Sequence, residues 1–216
     1  MTDKDLKRHV QNALDWDPGL DATDIGVSVE AGVVTLRGNV ASYSEKTGAE
    51  RVALRVYGVK AVANDLAVHL PHDFVRTDTD IAQAAVSALN WNTVVPKDRV
   101  SVAVTNGWIT LTGTLDWHYQ KNAAARTIRD LMGVKGVTDD IVVRPQVKTL
   151  DVRDKIEAAF KRSAEVDARR ISVVAEDGKV ILCGHVHSWA ERQEAERAAW
   201  AAPGVKQVDD RLTVVP

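Results

Sequence analysis

The hydrophobic positions of this chain follow one order three times: a helical spacing, an alternating spacing, and then both again. Residues three or four apart share a helical face, and every second residue of the next stretch is apolar, as in a half-buried strand. The helical faces hold Leu6, Val10, Ala13 and Leu14, then Ile81, Ala85, Val86 and Leu89, and then Val152, Ile156, Ala159 and Phe160. The strands hold Ile25, Val27 and Val29, then Val100, Val102 and Val104, and then Ile171, Val173 and Ala175.

A tight turn and a return strand are predicted after each of these strands. Asn106-Gly107 is a strong β-hairpin signal, and Gly32 and Gly178 allow the same positive φ in the other rounds. The return strands are predicted to bury Val34 and Leu36, Ile109 and Leu111, and Val180 and Leu182. A second helix and a third strand complete each round.

Nine glycines recur at fixed distances and define the length of the repeat. They are Gly32, Gly107 and Gly178 in the hairpin turns, Gly38, Gly113 and Gly184 on the return strands, and Gly58, Gly133 and Gly204 after the second helices. The copies lie 75 and then 71 residues apart at all three landmarks, which indicates an internal repeat. We interpret all nine as structural: turns, places where a missing Cβ lets a helix approach, and left-handed helix ends.

The order helix, strand, strand, helix, strand predicts an α+β fold. We expect three tandem αββαβ domains, residues 3–70, 78–145 and 149–216, each with two helices on one face of a small three-stranded mixed sheet. The second helix makes a right-handed crossover, and the order of the strands is left open. Contacts between copies are expected to add stability, because domains of about 70 residues have small cores.

The repeated motifs resemble those of the BON domain, named for osmotically inducible and nodulation proteins of bacteria. They read AGVVTLRGNV with GVKAVANDLAV, NGWITLTGTL with GVKGVTDDIVV, and DGKVILCGHV with GVKQVDDRLTV. The resemblance covers nearly the whole chain and implies three tandem BON domains with a non-enzymatic role. BON modules occur in osmotic-shock proteins, envelope lipoproteins, outer-membrane pore proteins and ion-binding cytoplasmic proteins, and phospholipid contact is the activity most often proposed for them.

The resemblance therefore implies a binding or scaffold protein of the osmotic or envelope stress response. Its partners would be phospholipid headgroups or envelope and stress proteins, and self-association is left open. A cytoplasmic ion or stress sensor is the alternative. The sequence begins without the apolar core of an export signal, so a cytoplasmic location is expected as written, or a periplasmic one if an upstream signal is missing.

Charge and composition narrow the choice of partners. Hydrophobic residues make up 45% of the chain and charged residues 27%, as in globular proteins. The net charges of the three copies are −2, 0 and −1, so none is a basic module and nucleic acid is not expected as a partner. No apolar run is long enough to span a bilayer, although peripheral membrane contact stays open. A lone cysteine, Cys183, cannot form an intramolecular disulfide.

The middle copy carries the strongest candidate binding residues. Trp108 begins the outward row of the return strand, Trp117 and Tyr119 open the second helix, and Lys121 and Arg126 follow on that helix. Aromatic rings beside cations suit the headgroup region of a membrane. Packing against a neighbouring copy is the alternative interpretation of these rings.

Other aromatic and basic residues have simpler interpretations. Trp16 and Trp91 occupy matching positions after the first helix and are interpreted as caps of the helical layer. Basic residues recur on the second helices at Lys46, Lys121 and Arg192 and at Arg51, Arg126 and Arg197. They are interpreted as solvated ion pairs, for example Lys46 with Glu50, or alternatively as a modest ridge for phosphates.

A metal site is the strongest enzyme-like alternative. Cys183, His185 and His187 alternate on one strand and include the thiolate and imidazole ligands of zinc and copper. No fourth ligand is evident, and the other copies have unrelated residues at the first two positions. Nucleophile elbows, Walker loops and dinucleotide fingerprints are absent from the sequence. We therefore expect no enzyme activity, no cofactor and an ordinary polar strand here.

Overall fold

The computed structural model describes residues 2–144, 152–163 and 166–215, and three copies of one helix–sheet arrangement follow each other along them. The first copy contains α1 (Asp3–Trp16), β1 (Ile25–Glu30), β2 (Val33–Val40), α2 (Tyr43–Leu54) and β3 (Ala61–Val68). The second contains α3 (Asp78–Trp91), β4 (Val100–Thr105), β5 (Trp108–Leu115), α4 (His118–Arg129) and β6 (Gly136–Val143), after a 3-10 turn at His72–Phe74. The third contains α5 (Val152–Arg162), β7 (Ile171–Glu176), β8 (Lys179–Val186), α6 (Trp189–Ala201) and β9 (Gln207–Val214).

Each copy forms its own three-stranded sheet with the return strand in the centre. In the first copy β2 pairs antiparallel with β1, with Val27 opposite Leu36, and parallel with β3, with Gly38 opposite Leu66. The third copy repeats this register between β7, β8 and β9. The predicted α+β fold with mixed sheets is therefore confirmed, and the structure supplies the strand order that the sequence left open.

The first helices start at strong caps, which explains where they begin. Thr2 and Thr77 each accept a hydrogen bond from the backbone N–H three residues later, and the carboxylates of Asp5 and Asp80 bond back to them. This capping box satisfies N–H groups that have no partner inside the helix. The helix–strand loops then return the chain so that the apolar helical face covers the sheet.

The cores lie between the helices and one face of each sheet. Val34 and Leu36 on β2 and Val180 and Leu182 on β8 are fully buried, as their alternation predicts. The predicted helical faces are also buried, or half-buried at Ala13 and Ala159, and only one of their residues is exposed. Val86 is 50% exposed because it lies one residue past Ala85, about 100° around the helix from the buried row.

Both residues of each hairpin turn have positive φ, which is the geometry of a type I′ turn. Asn106 and Gly107 have φ of 53° and 80°, and Ala31-Gly32 and Asp177-Gly178 have nearly the same values. In the second copy the carboxylate of Asp78 accepts the backbone N–H groups of Asn106 and Gly107 at 2.7 and 2.8 Å. A residue of α3 thus clips the hairpin to the start of its helix.

The same clip occurs in the first copy, where Asp3 accepts the N–H groups of Ala31 and Gly32 at 2.8 and 3.1 Å. The sequence position that aligns with these aspartates in the third copy is Thr149, which lies outside the described residues. A carboxylate at the start of the first helix is therefore part of the turn in the first and second copies.

The recurring Gly-Val-Lys segments join the last strand to the hairpin. The backbone N–H of Lys135 donates to Gly107 O at 2.9 Å, and its methylene stem lies over the hairpin glycine. Lys60 and Lys206 do the same in the other copies. The valine of each segment is buried, so each of the three residues has a packing or pairing role.

Each second helix ends a few residues before the glycine of its segment, earlier than the sequence predicts. Gly58 has φ of 93°, but α2 ends at Leu54, and the N–H of Val59 donates to Val56 O at 3.2 Å. Gly58 is therefore the third residue of a β-turn beyond the helix rather than the helix end itself. Gly133 and Gly204 occupy equivalent turns.

The return-strand glycines have a different close neighbour from the predicted one. A Cβ on Gly38 would overlap the backbone carbonyl of Asp24, just ahead of β1, and Gly113 meets Arg99 O in the same way. The prediction that a helix approaches these glycines was wrong, because the crowding comes from the neighbouring strand. With φ of 127° and 146°, both positions also favour glycine by conformation.

The chain divides into two compact units. One comprises residues 1–92, 102–111 and 125–139, and the other comprises residues 93–101, 112–124 and 140–216. The first contains the first copy with parts of the second, and the remainder of the second copy belongs with the third.

Candidate binding surface

Trp117 and Tyr119 lie side by side at the start of α4, with ring centroids 6.3 Å apart and ring planes inclined by 33°. Trp117 occupies the position that Ser42 and Ser188 have before α2 and α6, and its backbone N–H donates to Gln120 Oε1 at 3.2 Å. Trp117 is half-buried, whereas Tyr119 is 58% exposed. The structure thus brings together two of the five predicted binding residues and exposes one ring to solvent.

Trp108 packs on the outer face of its own sheet. Its ring covers Gly136 so closely that a Cβ there would overlap it, and its Nε1 donates to Thr138 Oγ1 at 2.8 Å. About half of the residue remains exposed. Trp108 belongs to the first compact unit, and Trp117 and Tyr119 belong to the second.

Lys121 holds its own copy together. Its Nζ donates to Ile141 O on β6 at 2.7 Å, and Lys46 donates to Leu66 O on β3 at the same distance. In both copies the ammonium covers a carbonyl of an edge strand. Lys121 is half-buried and its ammonium bonds to its own sheet, whereas Arg126 is exposed.

Contacts other than the predicted helical ion pairs hold two of the repeated basic residues. Arg192 Nε donates to Asp210 Oδ2 at 2.7 Å, and both side chains are largely buried. The prediction that Lys46 pairs with Glu50 was wrong because Glu50 Oε2 accepts from Asn64 instead, at 3.1 Å. Lys46 and Arg192 are therefore intradomain ties.

A solvated helical ion pair of the predicted kind is present at Arg197. Its guanidinium donates to the carboxylate of Glu194, one turn earlier on α6, at 2.6 and 2.8 Å, and the arginine side chain is exposed. The repeated basic residues therefore do not share one role.

His118 is a contact residue that sequence reasoning missed. Its ring stacks on Trp200 of α6, with centroids 4.0 Å apart and planes only 7° apart. Burial and, to a smaller extent, the nearby Lys121 ammonium together lower the pKa of His118 to about 4. A sequence signal was present: the first residue of α2, α4 and α6 is a ring in every copy, namely Tyr43, His118 and Trp189.

Trp16 and Trp91 do not cap the helical layer, so that interpretation was wrong. They are 88% and 85% exposed, because both stand at the last residue of a helix where the chain has turned away from the core. Tryptophan is enriched at protein–protein interfaces relative to the rest of a protein surface. Trp16 and Trp91 are the most exposed large hydrophobic residues in the described part of the chain.

The candidate metal ligands of the third copy, Cys183, His185 and His187, do not form a metal-binding group. β8 ends at Val186, so His187 lies beyond the strand, and it is exposed together with His185, whereas Cys183 is half-buried. Over residues 2–144, 152–163 and 166–215, no three His, Cys, Asp or Glu side chains are grouped to hold a metal ion. No helix within those ranges is long and apolar enough to cross a bilayer.

The fold and its repeated contacts define a protein of tandem αββαβ modules whose recurring residues close turns and tie strands. The chain belongs to the BON domain family, whose model matches residues 2–69, 77–145 and 149–216. The resemblance found in the sequence is thereby confirmed. The chain is similar to osmotically-inducible protein Y of Escherichia coli (strain K12), with 31% identity over 145 residues that cover 65% of this chain and 72% of that protein.

Two solved structures of CdsD, a structural protein of the type III secretion system of Chlamydia trachomatis, also align with the chain. One is 16% identical and covers 98% of this chain and 93% of its own, with a TM-score of 0.26. The other, the C-terminal domain, is 14% identical and covers both chains fully, with a TM-score of 0.27. Overlaps this poor do not establish a shared overall arrangement.

Proposed function

We propose that this chain is a non-catalytic binding protein of the bacterial osmotic or envelope stress response, and that its middle copy contacts anionic phospholipid headgroups. The exposed ring of Tyr119 beside Trp117 carries the proposal. Family membership and similarity to an osmotically inducible protein support the stress role. The packing and pairing roles of the repeated residues support a role without catalysis.

Ring burial and local charge explain why the middle copy is the better candidate. Its net charge is zero, whereas the first copy has −2, so repulsion from an anionic surface is weaker there. Tyr119 supplies an amphipathic ring, and the exposed Arg126 supplies a cation. Near an anionic surface such a cation contributes about 1 kcal/mol.

Vesicle flotation tests the proposal with phosphatidylglycerol vesicles compared with phosphatidylcholine vesicles. We expect binding to the anionic vesicles only, weakened by salt because the charges are exposed. Tyr119→Ala and Arg126→Gln should each reduce binding about fivefold, equivalent to about 1 kcal/mol each. Tyr57→Ala is the matched control, because Tyr57 is equally exposed, at 64%, in the more acidic first copy.

Tryptophan emission gives a second readout after Trp16→Phe and Trp91→Phe remove the two most exposed of the six indoles. The remaining emission should shift to the blue when anionic vesicles are added, and Trp117→Phe in the same background should abolish that shift. Equal binding to both vesicle types, or binding that neither Tyr119→Ala nor Arg126→Gln reduces, would refute headgroup contact by this copy.

Trp16 and Trp91 favour a partner protein as a second binding function. Asp15 and Asp17 flank Trp16 and repel an anionic membrane, so these indoles suit a protein surface better than a headgroup layer. A photocrosslinking residue at position 91 should capture a discrete partner in cells, and one at the exposed Val86 should not. Equal crosslinking from both positions would contradict a specific surface at Trp91.

A further inference from the structure

The same two helix ends meet in two contacts between neighbouring copies. Within the first compact unit, Ser44 Oγ at the start of α2 donates to Asp130 Oδ1 just past the end of α4, at 2.7 Å. Within the second unit, His118 at the start of α4 stacks on Trp200 near the end of α6. In both places the start of one second helix contacts the end of the next copy's second helix.

The two contacts have the same register along the repeat. His118 aligns with Tyr43, the neighbour of Ser44, and Trp200 aligns with Arg129, the neighbour of Asp130. Consecutive positions on one helix end therefore face consecutive positions on the other. Since side chains as different as a hydroxyl–carboxylate pair and two stacked rings occupy this junction, the backbone geometry of the repeat, rather than one side-chain pair, defines it.

The junction is heterologous, because the surface at the start of a second helix differs from the surface at its end. A heterologous surface can be extended by a further copy, in contrast to a two-fold surface that is satisfied by one partner. The end of α2 is therefore the surface that would contact a copy placed before the first. The start of α6 is the surface that would contact a copy placed after the third.

The end of α2 is open in the described structure. Arg55 aligns with Asp130, and Tyr57 follows it; both are exposed, the tyrosine at 64%. At the start of α6 the aligned residues are Trp189, in the position of His118, and Ala190, which is exposed. The guanidinium of Arg192 lies 4.8 Å from the Trp189 ring, so this indole already accepts a cation within its own copy.

We propose that the chain associates head to tail with a second copy of itself, through the end of α2 in one molecule and the start of α6 in the other. Continuity with the two junctions inside the chain identifies the occupant as another copy of this chain. In the register of the two internal junctions Arg55 would face Ala190, one position from the Trp189 indole. The guanidinium would thus lie within reach of a ring that binds cations.

Sedimentation velocity of the full chain over a wide concentration range measures the association. We expect a mass that rises with concentration. Arg55→Glu should weaken the association about tenfold or more, because it opposes a carboxylate to the face of an indole. Lys7→Glu is the matched control: it makes the same change in charge at an exposed position on α1 of the same copy, and should leave the association unchanged.

Mixing two blocked variants tests the direction of the contact. Arg55→Glu blocks one end, and Ala190→Arg blocks the other while preserving an exposed, helix-compatible position. Neither variant should self-associate, but the mixture should, because one kind of mixed junction keeps both wild-type ends and the other brings the two introduced charges together with opposite sign. Circular dichroism and the melting temperature verify that both variants are folded.

Three results would overturn the proposal. The wild-type chain could stay monomeric at every concentration, or Arg55→Glu could associate as strongly as Lys7→Glu. Failure of the mixture to associate, with both variants folded, would also exclude a head-to-tail contact at these helix ends.

Discussion

The hairpin glycine of the second copy combines a positive φ with a close backbone neighbour, and Gly107→Ala measures the sum of the two costs. Gly107 has φ of 80°, where an alanine costs about 1–2 kcal/mol. The new Cβ would lie 2.9 Å from Gly133 O and 3.2 Å from Lys135 Cγ. The carbonyl is backbone of a turn that is itself fixed by Val134, so it cannot move aside as a side chain would.

Gly32→Ala in the first copy separates the two costs. Its φ is 83°, so the conformational cost is the same, but its Cβ would meet only the flexible stem of Lys60, at 3.0 Å and beyond. Alanine also stiffens the unfolded chain equally in both cases, which offsets about 0.4–1 kcal/mol. We expect Gly32→Ala to cost about 1 kcal/mol and Gly107→Ala about 2–3 kcal/mol, the difference being the crowding at Gly133 O.

Urea unfolding of the full chain measures both values, and hydrogen exchange of the hairpin amides assigns each loss to its copy. Vesicle binding is measured on the same samples. The reasoning fails if Gly107→Ala is as stable as Gly32→Ala. It also fails if Gly107→Ala keeps the wild-type stability but loses binding, since the glycine would then act in recognition rather than in folding.

Two further predictions concern other contacts of the second and third copies. Asp78→Ala should lower the free energy of unfolding by about 2–3 kcal/mol, because two N–H groups lose a charged acceptor, and Asp78→Asn should lose less; equal melting temperatures for all three proteins would contradict the clip. His118 has a folded pKa of about 4, below the usual 6.5, so its stacked neutral ring contributes stability above pH 6.5 that is lost as pH falls through this window. His118→Gln should reduce the pH dependence of the melting temperature between pH 7 and pH 4.5, and an unchanged pH dependence would show that folding does not lower the pKa of His118.

The modules could be predicted from the sequence because their determinants are periodic. Val34, Leu36 and their counterparts alternate strictly, and glycines at constant offsets mark the turns between the elements. Strand order could not be derived from the same pattern, because burial on one face is equally satisfied by several pairings. The register of β2 with β3 depends on the Lys60 N–H and Gly32 O, a backbone contact with no side-chain signature.

The candidate surface was harder to predict than the fold. Tyr119 and Trp117 follow from helix spacing, but the inward ammonium of Lys121 depends on the position of the Ile141 carbonyl on β6, which only the assembled sheet reveals. Trp16 and Trp91 were misassigned for a related reason. A tryptophan at a helix end is buried or exposed according to the path of the next loop, and local periodicity does not contain that path.

Each sheet within the described residues takes all of its strands from a single copy, with the central strand flanked by its own neighbours. A recombination event that deletes or duplicates one copy therefore leaves every remaining sheet complete, with no orphaned edge created in the interior. Copy number can change in evolution without an intermediate that fails to fold. Substitutions in the contacts between helix ends would then follow the duplication, which accounts for a junction that retains its register while its side chains differ.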